Sequence, residues 1–246
     1  MMKVWGITDP GLVRKENQDA YLVTRDETTE QVIAVVCDGM GGPAGGCQAS
    51  HIAVETFSKE LSKVLVPEMS LEQLREASSY AVALANQAIR KAAEQSEENR
   101  SMGTTLVAAV SCPEGAVITN VGDSRAYHIS AEGITRVTRD HSLVERMVER
   151  GDITREEARR HPNRNLITRA LGPDMNANCD GYICPMKAGE YLLLCTDGLV
   201  DTVSDQEMLF EVIYGGDVSS CLDRLLNISK SRGASDNVTA VLLQKA

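Results

Sequence analysis

Apolar residues along this chain fall into two spacings. In the first they cluster between turn residues, at 32–36, 106–110, 116–121, 190–196 and 237–244, with shorter stretches at 3–8, 20–24, 125–129 and 180–184. Short apolar runs bounded by turn signals read as strands. In the second, Ile52, Val54, Phe57, Leu61, Val64 and Leu65 recur at mixed three- and four-residue steps, and so do Leu71, Leu74, Ala77, Ala81, Leu84, Ala88 and Ala92. That spacing predicts two long helices. Pro67 ends the first, and Ser70-Leu71-Glu72-Gln73 is a capping box that starts the second, which runs to about residue 95. Ser204-Asp205-Gln206-Glu207 caps another helix to about 214, and a further one spans roughly 218–231. Asp9-Pro10-Gly11 is a turn. Gly122-Asp123-Ser124, between the runs at 116–121 and 125–129, reads as the turn of a hairpin.

The order is strands, two helices, strands, a polar excursion, strands, helices, strand. Antiparallel sheets with helices segregated beside them fit this better than alternating β-α units, so the predicted class is α+β, in a single domain over 1–246. The excursion, about 141–180, holds two more capping boxes, Ser142 to Glu145 and Thr154 to Glu157. They start short charged helices with little apolar surface, and an aperiodic stretch through His161-Pro162-Asn163-Arg164-Asn165 follows. A segment of this length inside a compact domain is usually functional. It reads as a flap over a site.

The candidate chemistry lies at the ends of the apolar runs. Val32 to Val36 is followed by Cys37-Asp38-Gly39-Met40-Gly41-Gly42, and Tyr191 to Cys195 by Thr196-Asp197-Gly198. Asp123 follows the run 116–121, and Ser235-Asp236-Asn237 precedes Val238 to Leu243. Taken alone, Asp38-Gly39 reads as a turn cap. Four aspartates at strand ends converge on one edge if the strands are neighbours. Carboxylates in such a cluster repel one another unless a cation separates them. Apart from Arg125, no Lys or Arg cluster flanks these positions, so a hard divalent cation is the natural partner. Two such ions about 4 Å apart clamp a water and lower its pKa for attack on phosphorus.

Composition narrows the partners. Of 246 residues, 43% are hydrophobic, while one Trp, two Phe and six Tyr leave few platforms for stacked bases. A net charge of −10 argues against nucleic acid and anionic membranes. Seven cysteines, an odd number with no Cys-x-x-Cys pair, favour a reducing compartment. The N-terminus lacks a signal-peptide pattern, and no apolar stretch approaches the roughly 20 residues of a membrane span. The chain reads as soluble, cytoplasmic and monomeric.

The segments Thr8-Asp9-Pro10-Gly11, Arg14-x-x-Asn17-Gln18-Asp19, Asp38-Gly39-Met40-Gly41-Gly42, Gly103-Thr104-Thr105, Gly122-Asp123-Ser124-Arg125, Thr196-Asp197-Gly198-Leu199 and Ser235-Asp236-Asn237-Val238-Thr239 span nearly the whole chain. In that order they resemble the metal-dependent protein phosphatases of the PPM family, also called PP2C, in their compact bacterial form. The resemblance implies a four-layer α-β-β-α sandwich, with two antiparallel sheets flanked by helix pairs. It implies hydrolysis of phosphoserine and phosphothreonine in proteins with Mn²⁺ or Mg²⁺, by a water or hydroxide that bridges two core ions. By position, Asp38 would bridge those ions, and Gly39 would ligate the second through its carbonyl. Asp197 and Asp236 would complete the first ion's shell, and Asp123 would hold a third ion shared with Asp197. Arg14 would contact the substrate phosphate, since a guanidinium fork matches phosphate oxygens. Without the resemblance, Arg14 reads as a surface ion pair with Glu16 or Asp19. Asp19 and Asn237 would orient metal-bound waters from outside the ligand set. The partners implied are phosphoproteins modified by a serine/threonine kinase.

The chain departs from the family pattern at several places. Met40 stands where animal-type members carry His, Pro43 and Cys47 where many bacterial members carry His and Glu, and Asn165 where the flap often carries Ser. Gln18 stands where animal-type members have a ligating Glu, and His51 lies on the helix, facing away. These departures leave open an alternative: a catalytically impaired domain that binds phosphoproteins. A third reading keeps the enzyme but changes the substrate, to an anti-anti-sigma-type phosphoprotein or a small phosphomonoester.

Overall fold

The computed structural model describes residues 2–26, 28–42, 45–95 and 97–246. β1 (Met2–Asp9), β2 (Asp19–Arg25) and β3 (Val32–Met40) lead into α1 (Gly45–Ser62) and α2 (Leu71–Ala93). β4 (Gly103–Thr104), β5 (Leu106–Cys112), β6 (Gly115–Val121), β7 (Arg125–Ser130) and β8 (Gly133–Arg136) follow, then α3 (Leu143–Arg150) and α4 (Arg155–Arg160). β9 (Asp180–Pro185), β10 (Tyr191–Cys195), α5 (Asp197–Val200), α6 (Asp205–Ile213), α7 (Cys221–Ser231) and β11 (Val238–Lys245) complete the order.

One sheet runs β1-β11-β10-β7-β8 and the other β2-β3-β5-β6-β9, with β4 paired to the end of β3. All these pairings are antiparallel. The unbroken apolar runs follow from the layering. Val32, Ala34 and Val36 of β3 meet Leu192, Leu194, Val241 and Leu243 of the opposite sheet. The alternate residues Ile33, Val35 and Cys37 pack instead on Ala49, Ala53 and Phe57 of α1 and Leu74, Ala81 and Ala85 of α2. Leu193 and Cys195 face outward onto Met208 and Val212 of α6 and Leu222 and Leu225 of α7. A strand covered on both faces has no position for a polar residue, so the period-two alternation disappears. The result is the four-layer α-β-β-α sandwich.

The main correction concerns 116–129. β6 and β7 do not form a hairpin: β6 pairs with β5 and β9, whereas β7 pairs with β10 and β8. The chain crosses from one sheet to the other at Gly122-Asp123-Ser124. Gly122 has φ +104°, and a Cβ there would press into Thr105, so the crossover uses glycine for both reasons. β8 and the short α5 carry too little periodicity to be read from the sequence. Asp38 also lies inside β3, which runs on to Met40 through a two-residue pairing with β4. Among the described residues no helix is long and apolar enough to cross a membrane.

Candidate functional site

Asp38 and Asp19 face each other across β3 and β2, in the same register position. The backbone of Asp38 is held on three sides. Its N–H donates to Thr105 Oγ1 at 2.9 Å, and its carbonyl accepts from Thr105 N at 2.9 Å and Thr104 Oγ1 at 2.8 Å. Gly39 is wedged so closely against the carbonyls of Gly46 and Gln18 that a Cβ would collide with both. Asp197 opens α5, directly after β10, and Asp236 sits just before β11, beside it in the same sheet. Asp123 comes from the crossover. Residues from both sheets therefore meet at one end of the sandwich.

The electrostatics report the convergence. Asp38 is held well above the usual carboxylate range by burial and by the charges of Asp19, Asp197, Asp123 and Asp236. Asp123 is raised well above it by burial, Asp197 and Asp140, against the pull of Arg125. Burial, Asp201 and Asp236 push Asp197 up to about 6, although it lies within hydrogen-bond reach of Asp38. Asp19 rises to about 7, chiefly through burial. It accepts a hydrogen bond from Thr196 Oγ1 at 2.9 Å through Oδ2, while its buried Oδ1 has no partner among the described residues. Crowded carboxylates with a free oxygen and no matching set of protein cations form a donor set suited to hard divalent ions. Among the described residues, no three acidic, histidine or cysteine side chains already surround one point as a closed cage. Asp38 lies close to Asp197, whereas Asp236 turns its Oδ2 to Arg14 Nη2 at 2.8 Å.

Arg14 thus pairs with neither Glu16 nor Asp19. Its guanidinium lies beside Asp236, which raises its pKa further, and it feels the charges of Asp38 and Asp197. The loop that carries it is built onto the turn before β11. Leu12 N–H donates to Ala234 O at 2.9 Å, and Lys230 Nζ holds Asp9 Oδ2 at 2.6 Å. Asn237 pins the same loop: its Nδ2 donates to Pro10 O and Glu16 O, each at 3.0 Å, and its Oδ1 accepts from Gln18 N at 2.8 Å. The Asn237 amide, to which the resemblance gives the orienting of waters, is engaged with backbone instead. Gln18 Nε2 reaches Gly42 O at 2.9 Å. His51 is exposed, with its ring Nδ1 2.8 Å from Cys47 O. The departure at Pro43 lies outside the described residues.

A model of the protein phosphatase 2C family matches residues 13–243. The chain belongs to that family. Family members depend on a metal, in keeping with the carboxylate rim described above. Among its relatives, a protein named serine/threonine phosphatase stp from Listeria monocytogenes is 34% identical, over 97% of this chain and 94% of its own. Protein phosphatase PhpP of Streptococcus pneumoniae is 31% identical, over 98% of this chain and 97% of its own. The crystal structure of the serine/threonine phosphatase Stp1 from Staphylococcus aureus superposes with a TM-score of 0.94 at 34% identity, covering 100% of this chain and 96% of that one.

Several residues around the carboxylates carry no role in the sequence reading. Thr105 also bonds Ser124 Oγ at 2.7 Å and so ties the Asp38 strand to the crossover. His141 Nδ1 accepts from Gly122 N–H at 3.0 Å, and His141 N–H donates to Gly122 O at 2.8 Å. Asp201 lies near enough to Arg164, from the 141–180 segment, to feel its charge. Thr105 and Asp201 fall within or beside recognised motifs, which was the available signal. His141 carried none.

Proposed function

We propose that this chain hydrolyses phosphoserine and phosphothreonine in proteins, using divalent cations held on the carboxylate rim. The observation that carries the reading is the gathering of Asp38, Asp123, Asp197 and Asp236 from both sheets within range of one another's charge, with Arg14 beside them. Asp38 and the Gly39 carbonyl, with Asp197 and Asp236, would hold two Mn²⁺ or Mg²⁺ ions, and Asp123 with Asp197 would hold a third. Such ions, when bound, supply charge neutralisation and a water acidic enough to attack phosphorus.

The remaining roles belong to the chain. Arg14 trades the Asp236 carboxylate for the substrate phosphate, which its planar fork fits. Asn237 and the Asp9–Lys230 pair keep the Arg14 loop in place. Asp19, across from Asp38, orients the site's waters through its free Oδ1. The 141–180 segment is assigned as a flap over the rim, a reading supported by the charge of Arg164 reaching Asp201. One domain, 1–246, carries the activity as a monomer. Its substrates are targets of a serine/threonine kinase, and seven free cysteines support a cytoplasmic setting. The test is Mn²⁺-dependent phosphate release from a phosphothreonine peptide. Asp38→Ala and Asp197→Ala are expected to lose about 10³-fold or more, the scale of several kcal/mol of lost charge stabilisation. Wild-type rates in both variants would end the assignment.

A further inference from the structure

A cavity of about 390 Å³ opens at the base of the flap, walled by Arg146 of α3, Thr168, Arg169, Asp174, Asn176 and Asn178. None of these is a residue of the carboxylate rim. The Arg146 guanidinium forms no ion pair among the described residues, whereas its neighbours Arg136 and Arg155 both hold Glu145. Arg169 donates from Nη1 to Asp180 Oδ1 at 2.8 Å, and the same nitrogen lies 3.1 Å from His141 Nε2, which donates its proton to Asp180 Oδ2 at 3.2 Å because Nδ1 accepts from Gly122. Its Nε and Nη2 have no partner among the described residues. Thr168 Oγ1 is buried and unbonded among them. The Thr168 side chain lines the cavity, and a turn about its χ1 brings the unbonded hydroxyl to a ligand oxygen. Against two guanidinium groups, a hydroxyl and two amides stands one carboxylate, Asp174, which is exposed and can turn to water.

This chemistry suits a phosphate-sized oxyanion. The cavity also has a physical route to the rim. Thr168 N–H donates to His141 O at 2.7 Å, Arg169 touches the His141 ring, and that ring holds the Gly122 N–H. Val121, another wall residue, is the last of β6 and leads into the crossover that carries Asp123. An anion that draws Arg169 away from its half-exposed partner Asp180 acts on a weak pair, and Asp180 also holds the Nε2 proton of the ring that anchors the Asp123 loop, so the ring shifts with it. We propose that this cavity binds a phosphate-type oxyanion through Arg146, Arg169 and Thr168, and that its occupancy is transmitted to Asp123 through His141 and Gly122. The coupling rests on the proposed function, whereas the binding does not. The oxyanion is either inorganic phosphate or a second phosphoryl group on the protein substrate.

Calorimetry of inorganic phosphate into the Mn²⁺-loaded protein tests the binding without turnover. Wild type is expected to show a binding component that Arg146→Gln and Thr168→Val weaken at least tenfold, with a second component unchanged. Identical isotherms in all three proteins would overturn the cavity whatever the state of the enzymatic reading. Steady-state hydrolysis of p-nitrophenyl phosphate then reads the coupling. Phosphate is expected to change kcat at least twofold as well as raising KM in wild type, and only to raise KM in Arg146→Gln. Purely competitive inhibition in wild type, or a kcat effect that survives in Arg146→Gln, would overturn the transmission. A peptide with two phosphothreonines separates the sources: a kcat/KM advantage over the singly phosphorylated peptide that Arg146→Gln abolishes identifies the substrate's own second phosphate, and no advantage identifies free phosphate.

Discussion

Two clusters of buried acid lie near enough for Asp140 to be felt at Asp123, and they are treated in opposite ways. At the root of the flap, Asp140 takes Arg125 at 2.7 Å and Arg136 at 3.4 Å, while Glu145 takes Arg136 at 3.1 Å and Arg155 at 3.2 Å. Burial alone would raise the Glu145 pKa, but Arg136 and Arg155 bring it below its usual range. At the rim, Asp19, Asp38, Asp123 and Asp197 are all displaced upward, because burial and like charge act together and Arg14 touches only Asp236. The first cluster is complete within the chain. The second is neutral only with protons or with cations from outside. Buried acids that the protein compensates itself hold structure, and those it leaves uncompensated mark where a ligand belongs.

Mutations can break the contrast from either side. The largest effect is expected at the rim, where Asp38→Ala removes activity and costs little or no stability in chelator. Arg14→Ala comes next: losing a charge-assisted contact to phosphate is expected to lower kcat/KM by about 10- to 100-fold, mostly through KM, in peptide hydrolysis assays. At the flap root the order reverses. Glu145→Ala leaves Arg136 with Asp140 alone and Arg155 turned to water, and is expected to lower Tm by about 2–4 °C, from about 1 kcal/mol of lost pairing in a chain this size, with kcat on p-nitrophenyl phosphate changed less than threefold.

The pH dependence sharpens the comparison. Asp197 at about 6 and Asp19 at about 7 lie above the ordinary aspartate value of 3.8. Groups raised on folding contribute stability below their unfolded pKa and lose it as pH rises through the folded one. In chelator, the rim's contribution therefore declines between about pH 4 and 7. Bound cations need ionised carboxylates, so the Tm gain from Mn²⁺ is expected to grow over that interval, reaching about 5–10 °C at pH 7 with Mn²⁺ at about 100 times its dissociation constant. A gain that is flat or falling with pH would contradict the assignment of those shifts.

Much of this was legible beforehand because burial on both faces writes itself as unbroken apolar runs. Val32 to Val36 and Leu192 to Leu194 announced strands, and Ser70 with Gln73 announced the start of α2, where both halves of the capping box are present. At Ser142 only half of the expected box forms: its Oγ accepts from Glu145 N–H, but the Glu145 side chain is drawn to Arg136 and Arg155. Long-range charge overrode a local signal. The crossover at Gly122 is not legible in the sequence because a three-residue Gly-Asp-Ser link suits a hairpin and a change of sheet equally well, and only the pairing of β6 with β9 decides. Arg14 reads from the sequence as a phosphate ligand or a local ion pair, yet its partner Asp236 lies 222 residues away, beyond any spacing rule. His141 was invisible for the same reason, since its meaning lies in the backbone of Gly122.

The central claim is that acidic side chains from both sheets form one receptor for divalent ions. Titration calorimetry of Mn²⁺ into the chelator-stripped, dialysed protein tests it most directly. Wild type is expected to bind at least two Mn²⁺ per chain, with Asp38→Asn losing the tightest of them and Glu145→Gln keeping all. No Mn²⁺ uptake by wild type up to millimolar concentrations, or the same stoichiometry and affinity in Asp38→Asn, would contradict it.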